Sequence, residues 1–195
     1  MGKFLNPFRT LNGVKTLIWG LMFIVASALI LWAGGAVQDG YLHYTYLDLT
    51  WWQVGVMELL WWLLPTVILY LIGLVWRHSK VSIVNLLGTT AFSHLAMIPS
   101  IALLAIPYFK GLSVAILEAV KSGVLPSIAD LCAMSVMGIV SLVCLVLFYI
   151  WNYKAFATSC NVRGGWVITV YVLVQLIITI LGGYISQPIL SAFCH

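Results

Sequence analysis

Charge is what this sequence has least of. Only 7% of its 195 residues are Asp, Glu, Lys or Arg, where a water-soluble domain carries about 25%. With 63% hydrophobic residues and a mean hydropathy of +1.10, the chain lacks the polar surface a soluble fold needs, which points to an integral membrane protein. Acids are scarcer still, five against nine basic residues, for a net charge of +4. Those basic residues are dispersed, with no stripe interleaved with stacking aromatics, so nucleic acid is excluded as a partner. Cysteine is also sparse. Cys132 and Cys144 fall inside an apolar span, and Cys160 and Cys194 are expected on opposite sides of the membrane, which excludes a disulfide framework. There is no CxxC pair and no His-rich tract, and Cys194-His195 is only a two-ligand fragment, so neither a metal nor another cofactor is expected. No GxSxG, HExxH, P-loop or SxxK pattern accompanies the serines, so the chain offers no catalytic motif.

What is present is a set of apolar runs of membrane-spanning length. The N-terminal MGKFLNPFRTLNGVK mixes Lys3, Arg9 and Lys15 with Phe4, Leu5, Phe8 and Leu11, which suits an interfacial segment at about residues 3–13. Asn6 stands where a myristoylation signal needs Ser or Thr. Residues 17–36 form the first uncharged run, long enough for the roughly 30 Å hydrocarbon core. Ala33-Gly34-Gly35-Ala36 also reads as a signal-peptide cleavage site, but the run exceeds a usual signal core, which favours an uncleaved span. Residues 37–54 hold Asp39, His43 and Asp48 with Tyr41, Tyr44, Tyr46, Trp51 and Trp52, aromatics expected at a membrane–water boundary.

A second span is expected at 55–76, with Glu58 in its first turns within reach of water and Pro65 as a kink point. A hairpin, Arg77-His78-Ser79-Lys80, leads to a third at 82–108, where Pro99 and Pro107 are candidate breaks. Residues 110–123 are too short and too charged to cross and suit an amphipathic surface helix. Spans at 128–150 and 166–186 complete a single domain over 1–195, an all-α bundle of five transmembrane helices. If the N-terminus is cytoplasmic, the inner segments hold seven basic residues (Lys3, Arg9, Lys15, Arg77, Lys80, Lys154, Arg163) and the outer ones two (Lys110, Lys121). That bias places the N-terminus inside and the C-terminus outside.

In the third span Asn85, Thr89, Ser93, Ala96 and Ser100 recur every three or four residues and so share one helical face. With Gly88 and Pro99 they mark either a packing seam, where small residues let backbones approach, or a polar pathway. His94, flanked by Thr90 and Ser93, is the sharpest candidate for a ligand or ion path, because an ionisable group at that depth is by default functional. Its bland counterpart is a neutral histidine bonded to Gln175 of the fifth span or to a backbone carbonyl. Glu58 and Asp130, with Asp48 or His43, suggest a small outer-side cation site. The helix dipole alone also favours acids at helix starts. Ala129/Ala133 and Gly182-Gly183 offer faces for self-association or for packing within one chain.

The stretches NPFRTLNGVKTLIWG and GLVWRHSKVSIVNLLGTTAFSHLAMIPS, with Gly88, Ala91 and Pro99, and the five-span plan with a short outer tail resemble the YIP family. These are membrane proteins named for interaction with Ypt/Rab GTPases, and the likeness, over nearly the whole chain, is to the short bacterial members. It implies a helical bundle in the inner membrane with a cytoplasmic N-terminus, acting as organiser, scaffold or adaptor, and no catalytic residue. Eukaryotic relatives carry a long cytoplasmic N-terminal region with an acidic-aromatic Tyr-Gly-Pro motif. Here about 15 residues precede the first span, so Rab binding and vesicle traffic are not carried over. The expected protein is therefore non-enzymatic, with the lipid bilayer, other membrane proteins or a second copy as partners. The alternative is a small transporter or channel with a polar path along the third span at His94 and Gln175.

Overall fold

A computed structural model describes residues 7–9, 13–77, 81–123, 126–162 and 164–193, without the side chains of Arg9 and Arg77. After a 3-10 turn at Pro7–Arg9 the elements are α1 (Gly13–Ala33), β1 (Ala36–Gly40), β2 (His43–Tyr46), α2 (Trp51–Arg77) and α3 (Ile83–Ser93). There follow a 3-10 turn (His94–Met97), α4 (Ile98–Leu104), α5 (Pro107–Ser122), α6 (Ile128–Ser159) and α7 (Gly165–Phe193). Among the described residues α1, α2, the α3–α4 unit, α6 and α7 are long and apolar enough to cross a membrane. The protein is an all-α bundle, and its five apolar helices fit a multi-pass membrane protein. Large apolar side chains such as Val25, Val75, Ile139 and Ile180 point away from the bundle, the direction in which lipid replaces water.

The third span is the hub. In its most apolar stretch 61% of residues are buried, against at most 33% in the other four. It runs parallel to α1 in a constant register. The Gly13 N–H donates to Asn85 Oδ1 at 2.7 Å. Further along, a Cβ at Gly88 would stand 2.8 Å from the Leu17 nitrogen, and one at Gly34 would stand 2.5 Å from Ala105 Cα. Small residues permit this approach, which in lipid replaces the hydrophobic effect as the source of helix association. α2 and α6 pack antiparallel to it: Trp62 Nε1 donates to Thr90 Oγ1 at 3.2 Å, and Ser100 meets the Ser141 hydroxyl at 2.8 Å. α7 closes against α6, where the Tyr171 hydroxyl donates to the Tyr149 carbonyl at 3.3 Å, and against α2, where Gln53 Nε2 donates to the Phe193 carbonyl at 3.3 Å. The spans therefore alternate in direction.

The break in the third span is local chemistry. The helix tightens to 3-10 geometry at His94–Met97, and Pro99 sits in the first turn of α4, where its missing N–H costs nothing. Pro107 likewise opens α5. α2 runs through Pro65 as one helix. Three helices overrun the spans read from hydropathy, reaching 51–77, 128–159 and 165–193; the first, at 13–33, starts before the expected 17–36 and stops short of its end, and the third span is shorter than 82–108 and ends at Leu104. Helices stop where caps or turns stop them, not where the apolar run ends. Ser127, for example, accepts the Asp130 N–H at 3.1 Å and starts α6. The stretch 110–123 is helical, within α5, whose buried residue is Leu112 and which ends on Gly123 at φ +70°, a left-handed cap that glycine adopts without strain.

Two expectations fail outright. Residues 37–54 are not merely an aromatic boundary loop. β1 and β2 pair antiparallel, Ala36 with Tyr46, Val37 with Thr45 and Gln38 with Tyr44. The hairpin tucks into the bundle, leaving Ala36, Val37, Gln38 and Tyr41 buried, while Trp51 and Trp52 stay exposed. Non-helical backbone at such depth needs its polar groups paired and protein around it, and the ribbon supplies both. Glu58 does not reach water: it is 1% exposed, covered by that hairpin. At the N-terminus, Phe8 is buried edge-on to Phe92 at 6.0 Å. The rest of the 3–13 segment apart from Pro7–Arg9 and Gly13 lies outside the described residues, as do Lys3, Lys80, Arg163, most of the Arg77–Lys80 hairpin and Cys194-His195.

Candidate functional site

The stripe on the third span is a packing seam at every member that carries a polar side chain. Asn85 caps α1, as above. The Thr89 hydroxyl donates to the Asn85 carbonyl at 2.7 Å and meets the Ser159 hydroxyl at 3.2 Å. Ser93, fully buried, donates to the Thr89 carbonyl at 3.0 Å, and Ser100 meets Ser141. Ala96 is buried, and Gly88 lies against the α1 backbone. Each hydroxyl is spent on the protein itself, which is how polar atoms are tolerated in a helix facing other helices.

His94 belongs to the same packing. Its Nδ1 donates to the Thr90 carbonyl at 3.2 Å, and its ring meets Phe148 edge-on at 5.3 Å. Thr90 in turn accepts from Trp62 Nε1 and, at 3.0 Å, from the Thr66 hydroxyl, and donates to the Leu86 carbonyl at 2.8 Å. The expected pairing of His94 with Gln175 is not made. Gln175 instead faces the hydroxyls of Tyr41 and Tyr171 from α7. Thr90, Ser93, His94 and Gln175 therefore do not assemble into one path.

The outer acids do not converge either. His43 Nδ1 meets Asp39 Oδ1 at 2.6 Å across the hairpin turn. Asp48 pairs with Lys110 at 3.7 Å, and that ammonium also lies over the Tyr46 ring at 5.7 Å. Asp130 is taken up by the exposed Ser127 cap, 2.7 Å from its hydroxyl. Among the described residues no three of His, Cys, Asp and Glu stand close enough to hold a metal ion. The cause is the hairpin, which carries His43 and Asp39 outward while Glu58 lies beneath it.

The hairpin, α2 and α7 also carry buried polar side chains of their own. Gln38, Tyr41, Glu58, Trp61 and Gln175 are each 3% exposed or less. Gln38 Oε1, the Tyr41 hydroxyl, both Glu58 oxygens, Trp61 Nε1 and both amide atoms of Gln175 are buried without a hydrogen-bond partner. Glu58 and Trp61 lie one turn apart on α2, which puts them on one face. Tyr44, paired with Gln38 across the ribbon, is close enough to Glu58 to sense its charge. Tyr41 packs edge-on to Phe148 at 6.3 Å and against Gln175. Gly182, two turns beyond Gln175, admits the hairpin tip: a Cβ there would stand 3.1 Å from the Tyr41 nitrogen and 3.4 Å from the Trp61 ring. Burial, then the neighbouring hydroxyls of Tyr171, Tyr149 and Tyr44, hold the Tyr41 phenol well above its ordinary value. Burial and the Glu58 carboxyl do the same for Tyr44. Both stay neutral donors.

Beside the tip a cleft of about 310 Å³ opens between the hairpin and α7, with Asp39 and His43 at one side and Thr179 at the other. Thr179 is one turn from Gln175, to whose carbonyl its hydroxyl donates at 2.8 Å. Hydropathy does not flag this group, because isolated glutamines in apolar runs carry no periodic signal. The available hint is Gly34-Gly35 and Asp39-Gly40 bracketing Ala36-Val37-Gln38 ahead of His43-Tyr44-Thr45-Tyr46, turn residues flanking short β-prone runs. Compared with known family models, characterised proteins and solved structures, the chain matches none.

Proposed function

We propose that this is a YIP-type protein of the bacterial inner membrane, with its N-terminus cytoplasmic and its C-terminus outside. In this reading it catalyses no reaction and works as an organiser, scaffold or adaptor through contacts with other membrane proteins or a second copy. The observation that carries the reading is the third-span face itself, whose polar side chains are engaged within the protein, Asn85, Thr89, Thr90 and Ser100 with neighbouring helices and Ser93 and His94 with their own span. The bias of Lys and Arg toward one side supports the orientation, and the sequence likeness supports the family. A surface for partners is at hand in the first half of α6, where no residue of 128–143 is buried and Gly138 has nothing within 4 Å of a Cβ built on it. Ala129 lies on this free part. Gly182, by contrast, is occupied by the hairpin and offers no face for self-association.

The test is labelling of single cysteines at Thr89, Ser93 and Ser100 in a cysteine-free background, from each side of intact membranes. Protection of all three is expected. Labelling that runs along this face would overturn the reading in favour of a hydrated path. The transporter alternative draws on one observation, the unpartnered polar group beneath the hairpin, which lies away from the seam. His94→Ala separates the two. A packing histidine loses stability of about 2–4 kcal/mol, whereas a transport histidine leaves a stable bundle without flux.

A further inference from the structure

We propose that the cleft between the hairpin tip and α7 is a binding site for a primary ammonium group, with Asp39 as its counter-charge. The site is independent of the scaffold reading. Its first support is depth. The hairpin turns back into the bundle from the end where α1 and the third span finish: at its base the Tyr46 hydroxyl donates to the Leu104 carbonyl at 3.1 Å. At its tip the Tyr41 ring lies 6.3 Å from Phe148, and the same Phe148 ring meets His94, near the middle of the third span. On α7 the tip stands at Gly182, about 16 Å of helix short of Phe193. Asp39 and His43, facing each other across the tip, are thereby carried toward the middle of the bilayer on the flank of the bundle, where the His43 side chain is 73% exposed. Ionisable groups at such depth mark ligand or ion sites by default.

The second support is the wall of the cleft. Its volume of about 310 Å³ is at the small end for a ligand pocket, and its polar lining includes Asp39, His43, Thr179, Ser186 and Gln187. The protons of that lining are largely spent. His43 Nδ1 donates to Asp39 Oδ1 at 2.6 Å, the Thr179 hydroxyl to the Gln175 carbonyl at 2.8 Å and the Ser186 hydroxyl to the Gly182 carbonyl at 3.1 Å. A hydroxyl that has given away its proton can still accept, a carboxylate only accepts, and the Gln187 amide can turn its oxygen inward. The wall therefore suits a ligand rich in donors. It also suits a positive charge, having one acid and, among the described residues, no lysine or arginine. A primary ammonium brings three N–H donors, no acceptor and a single positive charge. A metal ion fits less well, because the bond between Asp39 Oδ1 and His43 Nδ1 occupies two of the atoms that would ligate it. Tyr41, Gly183 and Leu190 complete the wall and give the carbons beside the nitrogen an apolar bed. A free amine and the headgroup of phosphatidylethanolamine both offer this chemistry.

The experiment is thermal unfolding of the purified full chain at pH 8 in phosphatidylcholine nanodiscs, with ethanolamine, choline or magnesium chloride at matched ionic strength. Choline bears its charge on a nitrogen without N–H donors, so it controls for charge alone. Ethanolamine is expected to raise the midpoint saturably, by about 5–10 °C at a hundred times Kd, with choline and magnesium without effect. Asp39→Asn is expected to fold and to lose the response. Should it fail to fold, Thr179→Val serves instead, with the half-saturating ethanolamine concentration raised about tenfold. The same pair of chains in nanodiscs containing phosphatidylethanolamine tells the source. Stabilisation of the parent chain by that lipid, lost in the variant, assigns the site to the headgroup, and a response to soluble ethanolamine alone assigns it to a free amine. No response to either amine would overturn the proposal. So would an equal response to choline, a greater one to magnesium, or a folded Asp39→Asn chain that responds as the parent does.

Discussion

Gly20 of α1 and Ala91 of α3 meet with no space for a side chain between them: a Cβ at position 20 would lie 2.5 Å from Ala91 Cβ and 2.7 Å from the Phe92 nitrogen. The obstruction is partly backbone, so it cannot be relieved by a rotamer change. Gly20→Ala is expected to destabilise the bundle by about 1–3 kcal/mol, the usual cost of overpacking. Gly183→Ala, on α7 with open space around it, should be neutral or gain up to about 1 kcal/mol from helix propensity. Unfolding in mixed micelles compares the two, and equal stability of Gly20→Ala and the parent chain would refute the parallel pairing of α1 with α3.

Thr90 is the acceptor on which Trp62 depends. Thr90→Val preserves shape but leaves the buried indole N–H unpaired, and Trp62 is only 5% exposed. The expected loss is about 1–3 kcal/mol, accompanied by a shift in tryptophan fluorescence. Trp62→Phe added to Thr90→Val should recover part of that loss, because the orphaned donor is then gone. A double variant less stable than either single one would show that the hydrogen bond is not the coupling.

Ser93 has no exposure at all, and its hydroxyl is bonded within its own helix. Ser93→Ala should cost less than about 1 kcal/mol. Ser93→Leu adds volume at a fully buried position and is expected to cost about 3 kcal/mol, read as loss of a monodisperse species in detergent and a lowered midpoint. A correctly folded and equally stable Leu variant would mean that this face is not a seam.

Cys160, just past the end of α6, faces Gly73 of α2, where a Cβ would come within 2.6 Å of the sulfur. Burial pushes its thiol from the ordinary 9.0 up to about 12. The fold thus favours the protonated form. The stabilisation this represents is complete below pH 9.0 and is lost as pH rises toward 12. Alkylation of the folded chain at Cys160 near pH 8, with the other cysteines replaced, should lag a free thiol by about a thousandfold. Rapid alkylation at that pH would show that the α2–α6 contact opens.

The crossings and the seam were legible because both are one-dimensional. A hydrocarbon core demands about 20 apolar residues in a row, and a helix face shows itself as a repeat of three and four. The break near Pro99 was legible for a similar reason, since proline acts on its immediate neighbours. Helix ends were less so: Asn152 and Lys154 sit inside α6, which continues to Ser159 with no regard for where hydropathy falls. The likeness of His94 to a functional residue was also a matter of depth alone. Its actual partners, Thr90 and Phe148, are one on its own span and the other on α6.

The hairpin and the burial of Glu58 beneath it were decided by contacts far apart in the chain. Whether Tyr41 lies at a membrane boundary or inside the bundle turns on a missing side chain at Gly182, some 140 residues on, and on the faces that α2 and α7 turn toward it. Glu58 reads from local position as a carboxyl near water. Only the fold of residues 36–46 over it makes it a buried carboxyl with nothing bonded to either oxygen. Apolar length and helical period act along the chain, so they survive in the bare sequence. The pairing of polar atoms acts between segments, and it exists only once the helices have set those segments side by side.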